Sequence, residues 1–196
     1  MQGYRAVSSH LAGWTGSIGA FVRDLDRHGT RYLAFTQVSS LEFCQYRYYL
    51  ESVKRLRLRP QPDYFVKGHI FHAAVARYYL GIAKNRVLTI ASLHEFVDRH
   101  KRSDGHHLKN AISLAVQKAH VGWEVVAVEE PFVLSLGKGM PPCIGVIDLI
   151  LRQGRHYAVV DHKTGKNFND PDDLQVTIYR EYIRRRYGSE SCSAFW

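Results

Sequence analysis

A mixed α/β (α+β) fold follows from three features of the 196-residue sequence. Apolar residues recur at helical spacing through the first half. Three stretches rich in Val, Ile and Tyr, separated by turn residues, occupy the second half. A further helical stretch follows them. With 45% hydrophobic composition the chain can bury one sizeable core, so residues 1–196 are read as a single domain. Within it, residues 1–35 form an extension with little readable pattern, 36–122 a helical half, and 123–196 a sheet followed by a helix.

Apolar residues from Leu11 to Leu25 suggest a helix that Gly13, Gly16 and Gly19 weaken. Thr36 to Tyr49 reads as a helix with Ser39 or Ser40 as N-cap and Leu41, Cys44 and Tyr48 at helical spacing. A basic run follows, with Lys54, Arg55, Arg57 and Arg59. Phe65 to Ile82 is expected to be helical, with Phe71, Val75, Tyr78 and Tyr79 on one face. Ile90 to Arg99 and His107 to His120 are two further helices. Trp123 to Leu136, Cys143 to Arg152 and Tyr157 to Thr164 then form an antiparallel meander with turns at GKGMPP and Gln153-Gly154. Asp170 caps a helix that runs to about Tyr187, with Pro171 and two acids in its first turn. SCSAFW is read as a short last strand.

A net charge of +9 fits a polyanionic partner, because Lys and Arg that neutralise phosphates release counterions. Many basic proteins bind no nucleic acid, so charge alone is a weak argument. Three scattered cysteines, Cys44, Cys143 and Cys192, give neither a disulfide framework nor four thiolate ligands. No run of 18 apolar residues is present, and the first residues lack a signal-peptide pattern. An intracellular, cytoplasmic protein with no membrane contact is expected. No G-x-x-x-x-G-K-[ST] loop occurs, so ATP use is not expected.

The chemistry concentrates at Asp148, Asp161 and Lys163. Asp161 and Lys163 are two apart along a strand and so share a face. With Gln153-Gly154 as a two-residue turn, Asp148 faces Val159, and Asp161 is its diagonal neighbour, with Cβ atoms roughly 7–8 Å apart. Carboxylates at the ends of inner strands need compensation, and a hard divalent cation, Mg²⁺ or Mn²⁺, supplies it. A lysine beside two acids and a metal suits phosphodiester hydrolysis. The bland alternative is a surface Asp–Lys ion pair of little energetic weight. Asp148, at the matching place one hairpin earlier, favours the site.

These residues belong to five short motifs that occur in order. SSLEFCQYRYYL carries Cys44 with Gln45 where proline is usual. Gly68 to His72 is G-x-x-x-H, Gly145 to Asp148 is G-x-x-D, Asp161 to Lys163 is D-x-K, and Gln175 to Tyr179 is Q-x-x-x-Y. Together they resemble the PD-(D/E)xK nuclease superfamily and its RecB-like branch, over roughly Val38 to Tyr187. The resemblance implies a restriction-endonuclease-like core, with a central mixed sheet flanked by helices. It implies a metal-dependent DNA nuclease, an exonuclease or one preferring single strands and ends, in recombination, repair, phage or CRISPR processing. The alternative is a non-catalytic or partner-dependent DNA-binding module on the same fold.

By this resemblance His72, Asp148, Asp161 and the main-chain carbonyl of His162 hold Mg²⁺ or Mn²⁺. Lys163, Asp161 and Asp148 are catalytic, and Gln175 and Tyr179 contact the DNA backbone or order the lysine. His72 also borders the apolar face of its helix and could be a core residue, and His69 is its rival. Glu129 resembles an acid often found at this point, and a solvated strand residue is an equal reading. Lys54 to Arg59 and Arg184 to Arg186 could track phosphates or be solvated faces. Iron–sulfur relatives use one cysteine in the opening helix and three near the C-terminus; Cys44 fits the first and Cys192 could fit one of the others, but Cys143 does not, so four ligands are not available and no cluster is expected. The chain also ends sooner after Tyr179 than relatives do. A helicase or integrase partner is expected for a family that docks with such machinery.

Overall fold

The computed structural model describes residues 22, 23, 25, 27, 31–56, 63–86, 88–100, 105–117, 121–164 and 173–195. Two compact units divide the chain. The expected helix starts at Leu11 and Asp170 lie outside the described residues. Val22, Arg23, Leu25 and Arg27 are helical.

One unit comprises residues 58–130 and 147–196. Three helices come first, α3 (Asp63–Ala83), α4 (Ile90–Asp98) and α5 (Gly105–Gln117). Thr89 caps α4 by accepting a hydrogen bond from the Ser92 backbone N–H at 3.2 Å. Strand β3 (Cys143–Gln153) pairs antiparallel with β4 (His156–Val160), and β4 pairs parallel with β5 (Cys192–Phe195). The sheet is therefore mixed. Helix α6 (Asp173–Tyr187) supplies the crossover that a parallel β4–β5 pair requires.

Alternation on the strands explains where the core sits. Leu149 and Leu151 of β3 and Ala158 and Val160 of β4 join Phe71, Val75, Leu93, Val97, Ile112 and Val116 in one buried cluster. These apolar residues recur at three- and four-residue steps on each helix, so α3 to α5 cover that face. The intervening Ile150 and Val159 are also fully buried. Strands covered on both faces read as continuous apolar runs rather than alternating ones.

The hairpin register differs from the expected one. Arg152 pairs with Tyr157, not Arg155, and Gln153 pairs with His156. The turn is Gly154-Arg155, and Gly154 takes a φ of +61°, where a side chain would be strained. The shift is two residues, so every side chain keeps its face. Continuing the ladder from the Leu149–Val160 pair sets Asp148 directly opposite Asp161 rather than diagonal to it. The strand itself ends at Val160, short of the expected Thr164.

The other unit comprises residues 1–57 and 131–146. Strand β1 (Leu33–Ala34) pairs parallel with the start of β3 at Cys143 and Ile144. Helix α1 spans Phe35–Phe43, and Ala34 is its N-cap. The Gln37 side chain accepts from the Ala34 backbone N–H at 2.9 Å. Ser39 and Ser40 thus lie inside the helix, and a carboxamide reaching back supplies the cap contact expected of them. The expected continuous helix also breaks. Cys44 is extended (φ −162°, ψ 112°), followed by α2 (Gln45–Tyr48) and a π-helical turn at Tyr49–Val53. Strand β2 (Glu124–Leu134) pairs with β3, and both strands run through the two units.

Gly145 needs its missing side chain. A Cβ there would stand 2.7 Å from Phe132 Cε1, well inside contact distance. Gly145→Ala is expected to cost about 1–3 kcal/mol through overpacking. Leu93→Ala, at a fully buried position, should cost about 2–5 kcal/mol. Leu114→Ala, on the exposed side of α5, should stay within about 0.5 kcal/mol. Urea unfolding of the three variants checks the ranking.

Candidate metal and catalytic site

Asp161 is the first residue past β4, and it is buried. A buried carboxylate is stable only with close donors or cations. Helix α6 supplies the donors. Gln175 Nε2 donates to Asp161 Oδ1 at 3.0 Å, and Tyr179 Oη donates to the same oxygen at 2.9 Å. Gln175 Nε2 also donates to Tyr179 Oη at 2.6 Å, so each residue orients the other. Their i, i+4 spacing puts both on one helical face. Burial, and then the Asp161 charge, hold the Tyr179 phenol far above its ordinary range, so it stays a donor.

Lys163 approaches from the chain itself. Its Nζ lies 2.5 Å from Asp161 Oδ2 as an ion pair. It also donates to Gln175 Oε1 at 3.3 Å. More than half of the Lys163 side chain remains in solvent, against 9% for Asp161. The lysine is therefore tethered at its charged end yet reachable from outside.

Asp148 anchors a second group of donors. Its Oδ2 accepts from the His162 backbone N–H at 2.7 Å and lies 3.4 Å from His72 Nδ1. One peptide link thus joins Asp161 to the residue bound by Asp148. Each of His72, Glu129 and Asp148 offers a ligand atom, and the three lie within 4.8 Å of one another. His72 comes from α3, Glu129 from β2 and Asp148 from β3. The His162 ring stacks on Tyr79 at 6.4 Å between centroids and meets Phe71 and His72 edge-on.

Glu129 has a φ of +51°, in the left-handed region that non-glycine residues seldom use. Such a residue interrupts the alternation of its strand and re-aims its side chain. Sequence reasoning left Glu129 open between a site acid and a solvated residue. The available signal was Glu129-Glu130-Pro131, where a proline marks a strand that cannot pair normally. The adjacent Glu130 does other work, accepting from Tyr182 Oη at 2.9 Å.

The electrostatics of the group fit a cation. The hydrogen bond to Asp148 raises the His72 imidazole pKa against the opposing effect of burial. Desolvation, then the Asp148 charge, lift the Glu129 carboxyl above its ordinary range, and His72 partly offsets this. Two neighbouring acids that disfavour each other's charge are what a divalent ion would relieve. One imidazole with carboxylate oxygens is compatible with Mg²⁺ and especially Mn²⁺.

The structure therefore brings His72, Asp148, Asp161, His162, Lys163, Gln175 and Tyr179 together and adds Glu129. His69, the rival histidine, is exposed on α3 and is not among the converging donors. Gly68 of the same motif would place a Cβ 3.4 Å from Thr164 Oγ1, so α3 passes close to the segment after β4. The arginines near the end of α6 are largely engaged. Arg184 and Arg185 both bond Glu181, and the Arg186 guanidinium lies over Tyr187.

The family model of the PD-(D/E)XK nuclease superfamily matches residues 32–194. The chain belongs to that superfamily, whose members are generally metal-dependent nucleases. Its mixed α/β architecture agrees with the restriction-endonuclease-like fold of that family. A search of curated proteins found no match. Among the described residues, no helix is long and apolar enough to cross a membrane.

Gln175→Leu should destabilise the fold by about 1–3 kcal/mol, because it removes one of the two donors to Asp161 Oδ1 and the donor to the Tyr179 hydroxyl in a buried site. Tyr179→Phe removes one donor to a charged acceptor and should also cost about 1.5–3 kcal/mol. Chemical denaturation of both, with Leu174→Ala on the exposed side of α6 as control, measures this. Parent-like stability in both variants would mean Asp161 is not held as described.

Proposed function

We propose that the chain is a divalent-metal-dependent deoxyribonuclease of the RecB-like branch, acting as an exonuclease or on single strands and ends. The observation that carries this is the convergence of His72, Glu129 and Asp148 beside the buried Asp161–Lys163 pair. His72, Asp148 and Glu129 would hold Mg²⁺ or Mn²⁺. Asp161 and the main-chain carbonyl of His162 are proposed to complete the set. Asp161 Oδ1 is committed to Gln175 and Tyr179, so Oδ2, the oxygen paired with Lys163, is the atom it would share between the lysine and the ion. When bound, such an ion lowers the pKa of a water and offsets charge on the phosphate.

The chain's own residues do the remaining work. Gln175 and Tyr179 hold the Asp161 carboxylate in place through its Oδ1. Lys163, held by Asp161 and Gln175, orients the attacking water and faces the charge that grows on the phosphoryl oxygens. Water adds to phosphorus while a P–O bond to the leaving nucleotide breaks. The net charge of +9 supports a polyanionic substrate. Action inside the cell agrees with three free thiols, Cys44, Cys143 and Cys192. A helicase or integrase partner is proposed for a family that docks with such machinery, and the sequence carries no phosphate-binding loop of its own.

Cleavage of end-labelled single-stranded and duplex DNA in Mg²⁺, Mn²⁺ or EDTA tests this reading. EDTA should abolish activity, and Lys163→Ala should lower it by roughly 10²-fold or more. Mn²⁺ at about 100 times its dissociation constant should stabilise the parent by about 2.7 kcal/mol. The same ion should stabilise Asp148→Asn or His72→Ala far less. Metal-independent cleavage, or full activity in Lys163→Ala, would refute the assignment.

A further inference from the structure

We propose that Phe43 to Lys54 forms a stacking surface for single-stranded DNA. Helices α1 and α2 and the π-helical turn contain no buried residue. Leu41 through Arg47 are seven consecutive exposed residues. Phe43 is 79% exposed and Tyr46 68%, and Tyr49 and Val53 are also exposed. Rings displayed to this degree on helical segments without a fully buried residue mark a binding surface rather than part of a core.

The chemistry around the rings selects the ligand. The Arg47 guanidinium lies 6.0 Å from the Phe43 ring centroid, and Lys54 Nζ lies 5.5 Å from that of Tyr49. Arg47 also bonds Glu51 at 3.0 Å, an exposed pair that a phosphate could replace. Between residues 41 and 56 the sequence carries Arg47, Lys54 and Arg55 against Glu42 and Glu51, and Arg57 and Arg59 follow. Aromatic faces interleaved with cations suit bases and phosphates in alternation, and every base has a face to stack.

Backbone geometry supports a retained function. The chain is extended at Cys44 and π-helical from Tyr49 to Val53. Neither feature is explained by packing, since none of these residues is buried. π-turns are frequent at functional positions. Together they set Phe43, Tyr46 and Tyr49 on a segment that regular helix would space differently.

The proposal rests on the nuclease reading for its choice of DNA, and its test separates the two. Binding of a fluorescent oligo-dT strand would be measured by anisotropy in EDTA, where cleavage is off, at several salt concentrations. Phe43→Leu and Tyr46→Leu keep apolar bulk but remove the ring. Each should weaken binding roughly 5- to 100-fold, the loss of about one stacked base. Tyr46→Phe should bind like the parent. Leu174→Ala, on the exposed side of α6, should bind oligo-dT like the parent, and loss of cleavage in Lys163→Ala reports the catalytic centre separately from loss of binding in the leucine variants. Binding unchanged within twofold in both leucine variants would overturn the proposal. So would leucine variants that bind normally but lose a concentration-dependent self-association of the parent, because the strip would then be a protein interface.

Discussion

A negative charge buried at the end of a strand is the constraint on which the site depends. The Asp161 carboxylate could not be sequestered from water without compensation. Its answer comes from three directions: a hydroxyl and a carboxamide from α6, and an ammonium two residues along the chain. Each partner is itself constrained. Gln175 spans Asp161, Tyr179 and Lys163 at once. The placement of α6 against the β4 end is thus tied to the hydrogen bonds of one carboxylate, and stability and chemistry share the same bonds.

Asp148 divides the labour differently. Its hydrogen bond from the His162 peptide locks the end of β4 onto β3. Its remaining surroundings, His72 and Glu129, leave negative charge only partly compensated. The contrast is physical rather than topological. Asp161 is satisfied by fixed donors, whereas Asp148 sits in a group whose histidine pKa is raised and whose second acid is pushed toward its neutral form. A group poised in this way is suited to exchange its protons for a cation.

Much of the site was legible because its members fall within short motifs on strongly periodic segments. The helices carrying His72 and Tyr179, and the strand carrying Asp148, follow from apolar spacing that burial enforces. The less legible parts have identifiable causes. Ser39 and Ser40 are good caps by composition, but Gln37 reaching back to Ala34 decided where α1 begins. The hairpin turn moved by one residue, and the pairing therefore by two, because Gly154 takes the positive φ as the first turn residue rather than the second. Parity saved the face assignment, since a two-residue shift leaves alternation intact.

What the sequence determined by itself is the class of fold, the order of its elements and the residues able to carry the chemistry. These depend on local periodicity and side-chain type. What only the tertiary structure decided is who meets whom. Glu129 rather than Glu130 joins His72 and Asp148, because a left-handed residue in β2 re-aims one acid while Tyr182 holds the other. Such choices turn on distances of a few ångströms between residues far apart in the chain, and local spacing does not encode them.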